Sequence, residues 1–232
     1  MKNIKIYADG ANEKDILRFN KIKLIKGLTT NPSLMKQSGV NNYENFCKKI
    51  LKEVKKPISF EVFSDNEKDI IRQARIISSW AQNVYVKIPV INTKNKSLKK
   101  VIKLLSKEGV KLNITAIFTK KQIKETIASL DSDTPAIISI FCGRISDTGR
   151  DASEFIKYAN KLKKKKKYIE LLWASTRELY SIVEAEKNNC DIITVPTNIL
   201  DKMNLMGKNL EKYSLETVKM FYNDAKNAGF KL

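Results

Sequence analysis

The chain has 232 residues, 42% of them hydrophobic, and carries 44 Lys and Arg against 25 Asp and Glu, a formal charge of +19. That length and apolar content suit one large α/β domain or two small ones. Histidine is absent, which removes Ser-His and Cys-His nucleophile systems and His-based metal sites, so proton transfers fall to carboxylates, lysine, tyrosine, hydroxyls or water.

Ile4–Ala8 reads as a first strand, ending at Asp9-Gly10, and Asn12 caps a helix over Glu13–Phe19. Leu24–Leu28 is a second strand that runs into Thr29-Thr-Asn-Pro-Ser-Leu34. Pro32 biases Asn31 toward extended backbone, and Ser33 suits a helix start. Tyr43–Lys55 is amphipathic, with Phe46, Ile50 and Val54 at helical spacing. Pro57–Val62 is a third strand, and Asp65 opens a helix to Trp80 with Ile70, Ala74 and Ile77 on one face.

The fourth strand, Asn83–Pro89, sets Val84, Val86 and Ile88 on one face and Tyr85 and Lys87 on the other. A helix over Leu98–Lys107, with Leu98, Val101, Leu104 and Leu105 apolar, stops at Gly109. Val110–Phe118 is a fifth strand, Lys120–Leu130 a helix and Pro135–Phe141 a sixth strand. A loop, Cys142–Arg150, leads to a helix over Ala152–Lys165. Tyr168–Ala174 is a seventh strand, Thr176–Asn188 a helix, and Asp191–Val195 an eighth strand closed by Pro196. Asn198–Lys202 and Leu215–Ala228 are helical, the latter with an apolar stripe of Leu215, Val218, Tyr222 and Ala225.

Strict alternation of strands and helices implies a parallel sheet. Eight units without a linker or composition break fit a single (β/α)8 TIM barrel over residues 1–232, with an extra C-terminal helix. The alternative, an open doubly wound sheet, usually carries a phosphate loop or a GxGxxG fingerprint, and the chain has neither.

Barrel chemistry sits at the carboxyl ends of the strands, and polar residues gather there. Asp9 ends the first strand and Asn31 follows the second. Ser59 and Glu61 alternate with apolar residues on the third, as do Asn113 and Thr115 on the fifth. Ser139 and Phe141 share a face on the sixth, Arg144 follows, and Ser175 and Arg177 follow the seventh. Singly, each has a plainer reading. Lys87 reads as an edge lysine reaching water, Asp9 and Asn31 as loop caps, and Glu61 as a neutralising partner for a lysine. Ser139 and Thr115 read as partners for backbone groups, and Asn113 as a buried hydrogen-bonding residue. Together they resemble a Schiff-base site for a phosphorylated sugar. Burial of Lys87 favours the neutral amine that attacks carbonyls, and arginines offer bidentate phosphate recognition.

Seven segments, Tyr7-Ala-Asp9, Gly27-Leu-Thr-Thr-Asn-Pro-Ser-Leu34, Phe60-Glu-Val62, Val86-Lys-Ile-Pro89, Glu108–Phe118, Ser139-Ile-Phe-Cys-Gly-Arg-Ile145 and Ala174-Ser-Thr-Arg177, fall in order along the chain. In these the chain resembles the transaldolase family, specifically its short members, which include fructose-6-phosphate aldolases. The resemblance implies that Lys87 forms a Schiff base with a ketose and holds a three-carbon ketol unit, with no cofactor. It implies that Asp9 takes the proton from the hydroxyl at the breaking carbon–carbon bond, and that Glu61 and Thr115 position a proton-shuttling water. Asn31, Asn113 and Ser139 would hold hydroxyls, Phe141 would wall the site, and Arg144, Ser175 and Arg177 would bind phosphate. The aldolases resembling this chain usually carry glutamine at the position of Glu61 and tyrosine at that of Phe141, so this pair implies transfer over simple cleavage. The usual family reaction uses sedoheptulose 7-phosphate and glyceraldehyde 3-phosphate, in the pentose phosphate pathway.

Gly10 departs from the threonine usual in the family, and Ile91–Ser97, Asp147–Arg150 and Trp173 look atypical. Arg150 either contacts an unusual part of a substrate or pairs with Asp147 or Asp151. The short family members often form pentamers or decamers in which the C-terminal helix packs on a neighbour, so a homo-oligomer (dimer, pentamer or decamer) is expected.

The positive charge raises a rival reading, a non-catalytic barrel that binds polyanions. Yet the lysines are spread through every polar segment, and the only dense run is Lys161–Lys167. No nucleic-acid motif accompanies them, so a solvated surface is expected, with no nucleic-acid partner, and its field favours an anionic small molecule. No run of about eighteen apolar residues exists, so no membrane span is expected. The N-terminus lacks the apolar core of a signal peptide, and Cys47, Cys142 and Cys190 form no CxxC. These imply a cytoplasmic protein with reduced thiols and no metal site.

Overall fold

Eight parallel strands close on one another in chain order, β1 to β8, with β1 paired to both β2 and β8. The computed structural model describes residues 4–164 and 166–231. The elements are β1 (Lys5–Asp9), α1 (Glu13–Lys21), β2 (Ile25–Thr29), α2 (Pro32–Gln37), α3 (Tyr43–Glu53), β3 (Ile58–Glu61), α4 (Glu67–Ser79) and β4 (Val84–Pro89). They continue with α5 (Lys99–Lys107), β5 (Leu112–Ile117), α6 (Lys120–Ser129), β6 (Ala136–Ile140), α7 (Cys142–Ser146) and α8 (Ser153–Lys163). Then come β7 (Ile169–Trp173), α9 (Tyr180–Lys187), β8 (Ile192–Pro196), α10 (Thr197–Leu200) and α11 (Leu210–Asn227). The predicted closed barrel is the observed one. All eight strands and the main helices are where the alternation places them, with ends shifted by a few residues.

Four local readings change. Cys142–Ser146, expected as loop, is a short helix. The helix expected from Thr176 starts at Tyr180, after a turn of the chain in which Ser175 sits at a φ of +64°. Asn31, not Ser33, caps α2, its side chain accepting from the Leu34 N–H at 2.9 Å, with Pro32 at the first helical position. Leu104, expected on the apolar face of α5, is 41% exposed. The expected last residue of the helix before β7, Lys165, lies outside the described residues.

Two apolar layers hold the barrel. Outward strand residues such as Ile58, Phe60, Val84, Val86, Ile88, Ile114 and Ile138 are buried beneath the helices, whose Ile70, Ala74, Ile77, Val101 and Ile156 are buried in turn. Inside, Tyr7, Ile137, Leu172 and Ile192 form a packed cluster, with Tyr85 and Phe141 against it. This cluster fills the barrel below the strand ends, as in a packed core and not a pore. Gly27 is what admits Tyr7: a Cβ at Gly27 would lie 2.4 Å from the tyrosine ring.

The chain divides into two compact units, Met1–Leu200 and Asp201–Leu232. The second contains a 3-10 turn, Met203–Leu205, and α11, capped by Asn209 on the Lys212 N–H. None of the residues of α11 is buried, and its apolar Leu215, Val218, Phe221 and Tyr222 are all more than half exposed. Among the described residues no helix is long and apolar enough to cross a membrane.

Gly27→Ala tests the barrel interior. Displacing the Tyr7 ring is expected to cost about 1–3 kcal/mol, and Gly27→Ala/Tyr7→Leu to recover part of it. Urea unfolding of the three proteins measures both, and an unchanged midpoint for the single variant contradicts the packing described.

Candidate functional site

The strand register brings the charged centre together. Lys87 is flanked by Glu61 on β3 and Asn113 on β5, its partners in the parallel ladder. Side chains at neighbouring register positions on a parallel sheet point to the same face, so all three project into the barrel. Lys87 Nζ lies 3.2 Å from Glu61 Oε2 and donates to the carbonyl of Thr30 at 3.0 Å. The side chains of Lys87 and Glu61 are 9% and 14% exposed. Lys87 therefore reaches no open edge, and Glu61 does neutralise a lysine, this one.

Asp9 stands at the end of β1, two strands from Glu61 and opposite Thr29 in the β1–β2 register. Its Oδ1 accepts from Thr29 Oγ1 at 2.7 Å, and the Thr29 hydroxyl in turn shares a hydrogen bond with Thr194 Oγ1 on β8. Burial pushes the Asp9 carboxyl above the ordinary range, while the Lys87 charge and the Thr29 hydroxyl act in the opposite direction. A carboxyl whose proton affinity is raised in this way suits proton exchange with a bound molecule.

Asn113, Ser59 and Ser139 form a second chain. Asn113 Nδ2 donates to Ser59 Oγ at 2.9 Å, and Ser139 Oγ donates to Asn113 Oδ1 at 2.7 Å. All three are buried. Asn113 is thus the buried hydrogen-bonding residue of its plainer reading, but Ser139 serves a side chain and not the backbone. Thr115 behaves otherwise. Its strand is irregular between Ile114 and Ile117, and Ala116 sits at a φ of +57°, a strained position for a residue with a Cβ. Thr115 Oγ1 is buried, has no hydrogen-bond partner among the described residues, and Thr115 lines the cavity. A buried hydroxyl without a partner is costly, and a water in the cavity would satisfy it.

At the rim, Phe141 packs against Phe118 with ring centroids 5.5 Å apart, and the Arg144 guanidinium lies 5.5 Å from the Phe141 ring centre. Arg177 forks onto Asp147, with Nε and Nη2 at 3.0 and 2.7 Å from Oδ2, and holds that carboxyl below its usual range. This overturns the expected Arg150 pairing: Arg150 donates to Thr148 at 2.8 Å, and Asp151 accepts from Ser153. Gly143 is indispensable here, since a Cβ on it would fall 1.6 Å from the Ser175 carbonyl oxygen.

One cavity of about 580 Å³ is lined by Asp9, Asn31, Glu61, Lys87, Asn113, Thr115, Ser139, Phe141, Arg144, Ser175 and Arg177. The eleven residues assigned site roles from the sequence face the same space. Ser59, placed among the polar residues of the third strand but given no role, completes the Asn113 chain, and Asp147, read as a partner for Arg150, holds Arg177 instead. Thr29 and Thr194, given no role from the sequence, line the cavity behind Asp9. Tyr43 donates to the Glu61 carbonyl at 2.7 Å and stacks edge-on against Phe63. Thr194 had a readable signal, its alternation with Ile193 and Val195 on β8; Tyr43 had none. Among the described residues no cluster of His, Cys, Asp and Glu is placed to hold a metal ion. The three thiols are buried, and burial pushes Cys190 up to about 12, which disfavours a thiolate nucleophile.

Residues 6–232 match the family model described as transaldolase/fructose-6-phosphate aldolase. The chain is 36% identical over 202 residues to a protein named probable transaldolase from Methanococcus maripaludis (strain C7), covering 86% of this chain and 89% of that one. It is 32% identical over 230 residues to a probable transaldolase from Thermoanaerobacter sp. (strain X514), covering 99% and 100%. A chain of the tryptophan synthase a2b2 complex from Pyrococcus furiosus superposes with a TM-score of 0.54 at 12% identity, over 88% of this chain and 91% of that one. That likeness concerns the fold alone.

Lys87→Met leaves the Glu61 carboxylate half of a broken pair and is expected to destabilise the fold by about 1–3 kcal/mol. Lys87→Met/Glu61→Leu should recover most of that in a denaturant titration. Equal stability of the single variant and the parent would show that the pair is not what holds the two side chains.

Proposed function

The chain belongs to the transaldolase/fructose-6-phosphate aldolase family, and we propose that it is a transaldolase, moving a dihydroxyacetone unit from a ketose phosphate to an aldose phosphate through a Schiff base on Lys87. The observation that carries this is the buried Lys87–Glu61 pair beside Asp9, with two arginines at the rim of the same cavity.

Lys87 Nζ, having passed a proton to Glu61, attacks the ketose carbonyl to give a carbinolamine. Loss of water yields the iminium. The water is handled between Glu61 and the free hydroxyl of Thr115. Asp9 removes the proton from the hydroxyl next to the scissile bond. That oxygen becomes a carbonyl, the carbon–carbon pair flows into the iminium, and the first aldehyde leaves. An enamine remains on Lys87. An acceptor aldehyde then takes the pair, Asp9 returns the proton, and water releases the product. Asn31, Asn113 and Ser139 hold the hydroxyls of the three-carbon unit. Arg144, Ser175 and Arg177 hold the phosphate, roughly one charge-assisted fork per arginine. The donors and acceptors in this reading are sedoheptulose 7-phosphate or fructose 6-phosphate and glyceraldehyde 3-phosphate or erythrose 4-phosphate. Cytoplasmic carbohydrate metabolism by the pentose phosphate pathway is the setting that this reaction class favours. The exposed apolar side chains of α11 support assembly with further copies of the chain.

A second reading, cleavage without transfer by a fructose-6-phosphate aldolase, shares every residue but Glu61 and Phe141. Phe141 supports transfer, because its ring offers no proton to the enamine, which then waits for an aldehyde.

Two experiments separate these. Borohydride added with fructose 6-phosphate should attach a three-carbon adduct to Lys87, seen by peptide mass spectrometry; an unlabelled Lys87 sinks the Schiff-base reading. With fructose 6-phosphate alone, glyceraldehyde 3-phosphate release should stop at about one equivalent per site. Sustained release without an acceptor favours the aldolase. Arg144→Ala and Arg177→Ala should each raise KM for the phosphorylated donor about 10- to 100-fold, with the smaller change in kcat, and an unchanged KM removes that arginine from the phosphate site.

A further inference from the structure

Asp9 has one hydrogen-bond donor among the described residues, Thr29, and Thr29 has one further partner, Thr194. Both threonines are buried, at 2% and 5% exposed, and both line the cavity. A carboxylate only accepts, so the Thr29 proton points at Asp9 Oδ1. The Thr29 oxygen then presents a lone pair to Thr194, and the Thr194 hydroxyl must be the donor. Two hydroxyls in series thus aim their protons at one oxygen of Asp9. The register makes this arrangement: Thr29 faces Asp9 from β2, and β8 runs along the other side of β1.

We propose that Thr194 is a positioning residue which, by orienting the hydroxyl of Thr29, keeps Asp9 Oδ1 occupied and leaves Oδ2 as the oxygen that exchanges the substrate proton. The inference rests on the reading of Asp9 as the acid–base group. In cleavage the substrate O–H bond breaks and its proton goes to Oδ2. The oxygen becomes a carbonyl as the carbon–carbon pair moves to the iminium, and the proton returns by the same route in the second half. A carboxylate free to turn would offer either oxygen, whereas one held at Oδ1 by Thr29 presents Oδ2 alone.

The same chain opposes the burial that pushes the Asp9 carboxyl upward. Other charges near it are few. Lys87 on β4 is paired with Glu61 on β3, Arg144 and Arg177 stand at the rim of the cavity, and on α1 Asp15 is bridged to Arg18. β2 and β8 bring only hydroxyls. Removing the Thr194 hydroxyl therefore weakens stabilisation of the carboxylate, and activity that needs the carboxylate is lost at a higher pH than before.

The test compares the full-length protein with Thr194→Val, which keeps the shape, and Thr194→Ser, which keeps the hydroxyl. Transfer from fructose 6-phosphate to erythrose 4-phosphate is followed against pH, and Lys87 labelling by borohydride is followed in parallel. Thr194→Val should lower kcat/KM about tenfold and move the acid limb of its pH profile upward by about half a unit. Thr194→Ser should restore both, and Lys87 labelling should stay at the parent level. A Thr194→Val limb in the parent position, or no rescue by serine, overturns the inference while leaving Lys87 chemistry intact. Absence of Lys87 labelling in the parent overturns the underlying reading and this one with it. Should Thr194→Val not fold, Thr29→Val breaks the chain one link earlier and must show at least the same shift; an unmoved limb there overturns the inference equally.

Discussion

The site depends on keeping an ammonium and a carboxylate together inside a barrel. Desolvating either ion alone is expensive, and removing one leaves the other exposed to the full cost. The barrel meets this with register: β3 and β4 pair so that Glu61 and Lys87 are ladder neighbours, at 3.2 Å. Closure in chain order then decides what else reaches them. β1 brings Asp9, β5 brings Asn113 and Thr115, and β6 brings Ser139, each on the inward face of its own strand. Moving any of these strands by one residue would turn its polar groups outward and its isoleucines and valines inward. The apolar packing beneath the helices thus holds the chemistry in place.

In the proposed reaction a chain without histidine divides the usual work of that residue among others, and the division is spatial. Glu61 is bound to the lysine, Asp9 is held by hydroxyls, and the Thr115 hydroxyl has no partner among the described residues. The three groups approach the same space from different strands and have different surroundings, which would let them take different proton transfers.

Most of this was legible in the sequence because period-two alternation reports inward and outward positions directly. Tyr85 and Lys87 could be set apart from Val84, Val86 and Ile88 by alternation alone, and closure of the barrel puts Lys87 inside, where it is buried. Partners across the barrel were harder to read. Nothing local links Tyr43 to Glu61, or Thr194 to Thr29, 165 residues away. Arg177 and Asp147 are 30 residues apart on different loops, and the nearer Arg150 offered the more obvious partner. Backbone irregularities were also hidden. The left-handed Ala116 and Ser175 carry no glycine or asparagine to announce them, and the Ser175 carbonyl lies where a side chain on residue 143 would have to be.

The packed floor has a kinetic meaning for the proposed transfer. Tyr7, Ile137, Leu172 and Ile192 fill the barrel interior, so no passage runs through it. In that reading the first aldehyde leaves and the acceptor enters by the mouth of the same cavity. At about 580 Å³ the cavity is on the scale of one small ligand and its water. The proposed order of events is then imposed by traffic as much as by affinity: departure of the first product would precede arrival of the next molecule, with a covalently held fragment as the memory between the two visits.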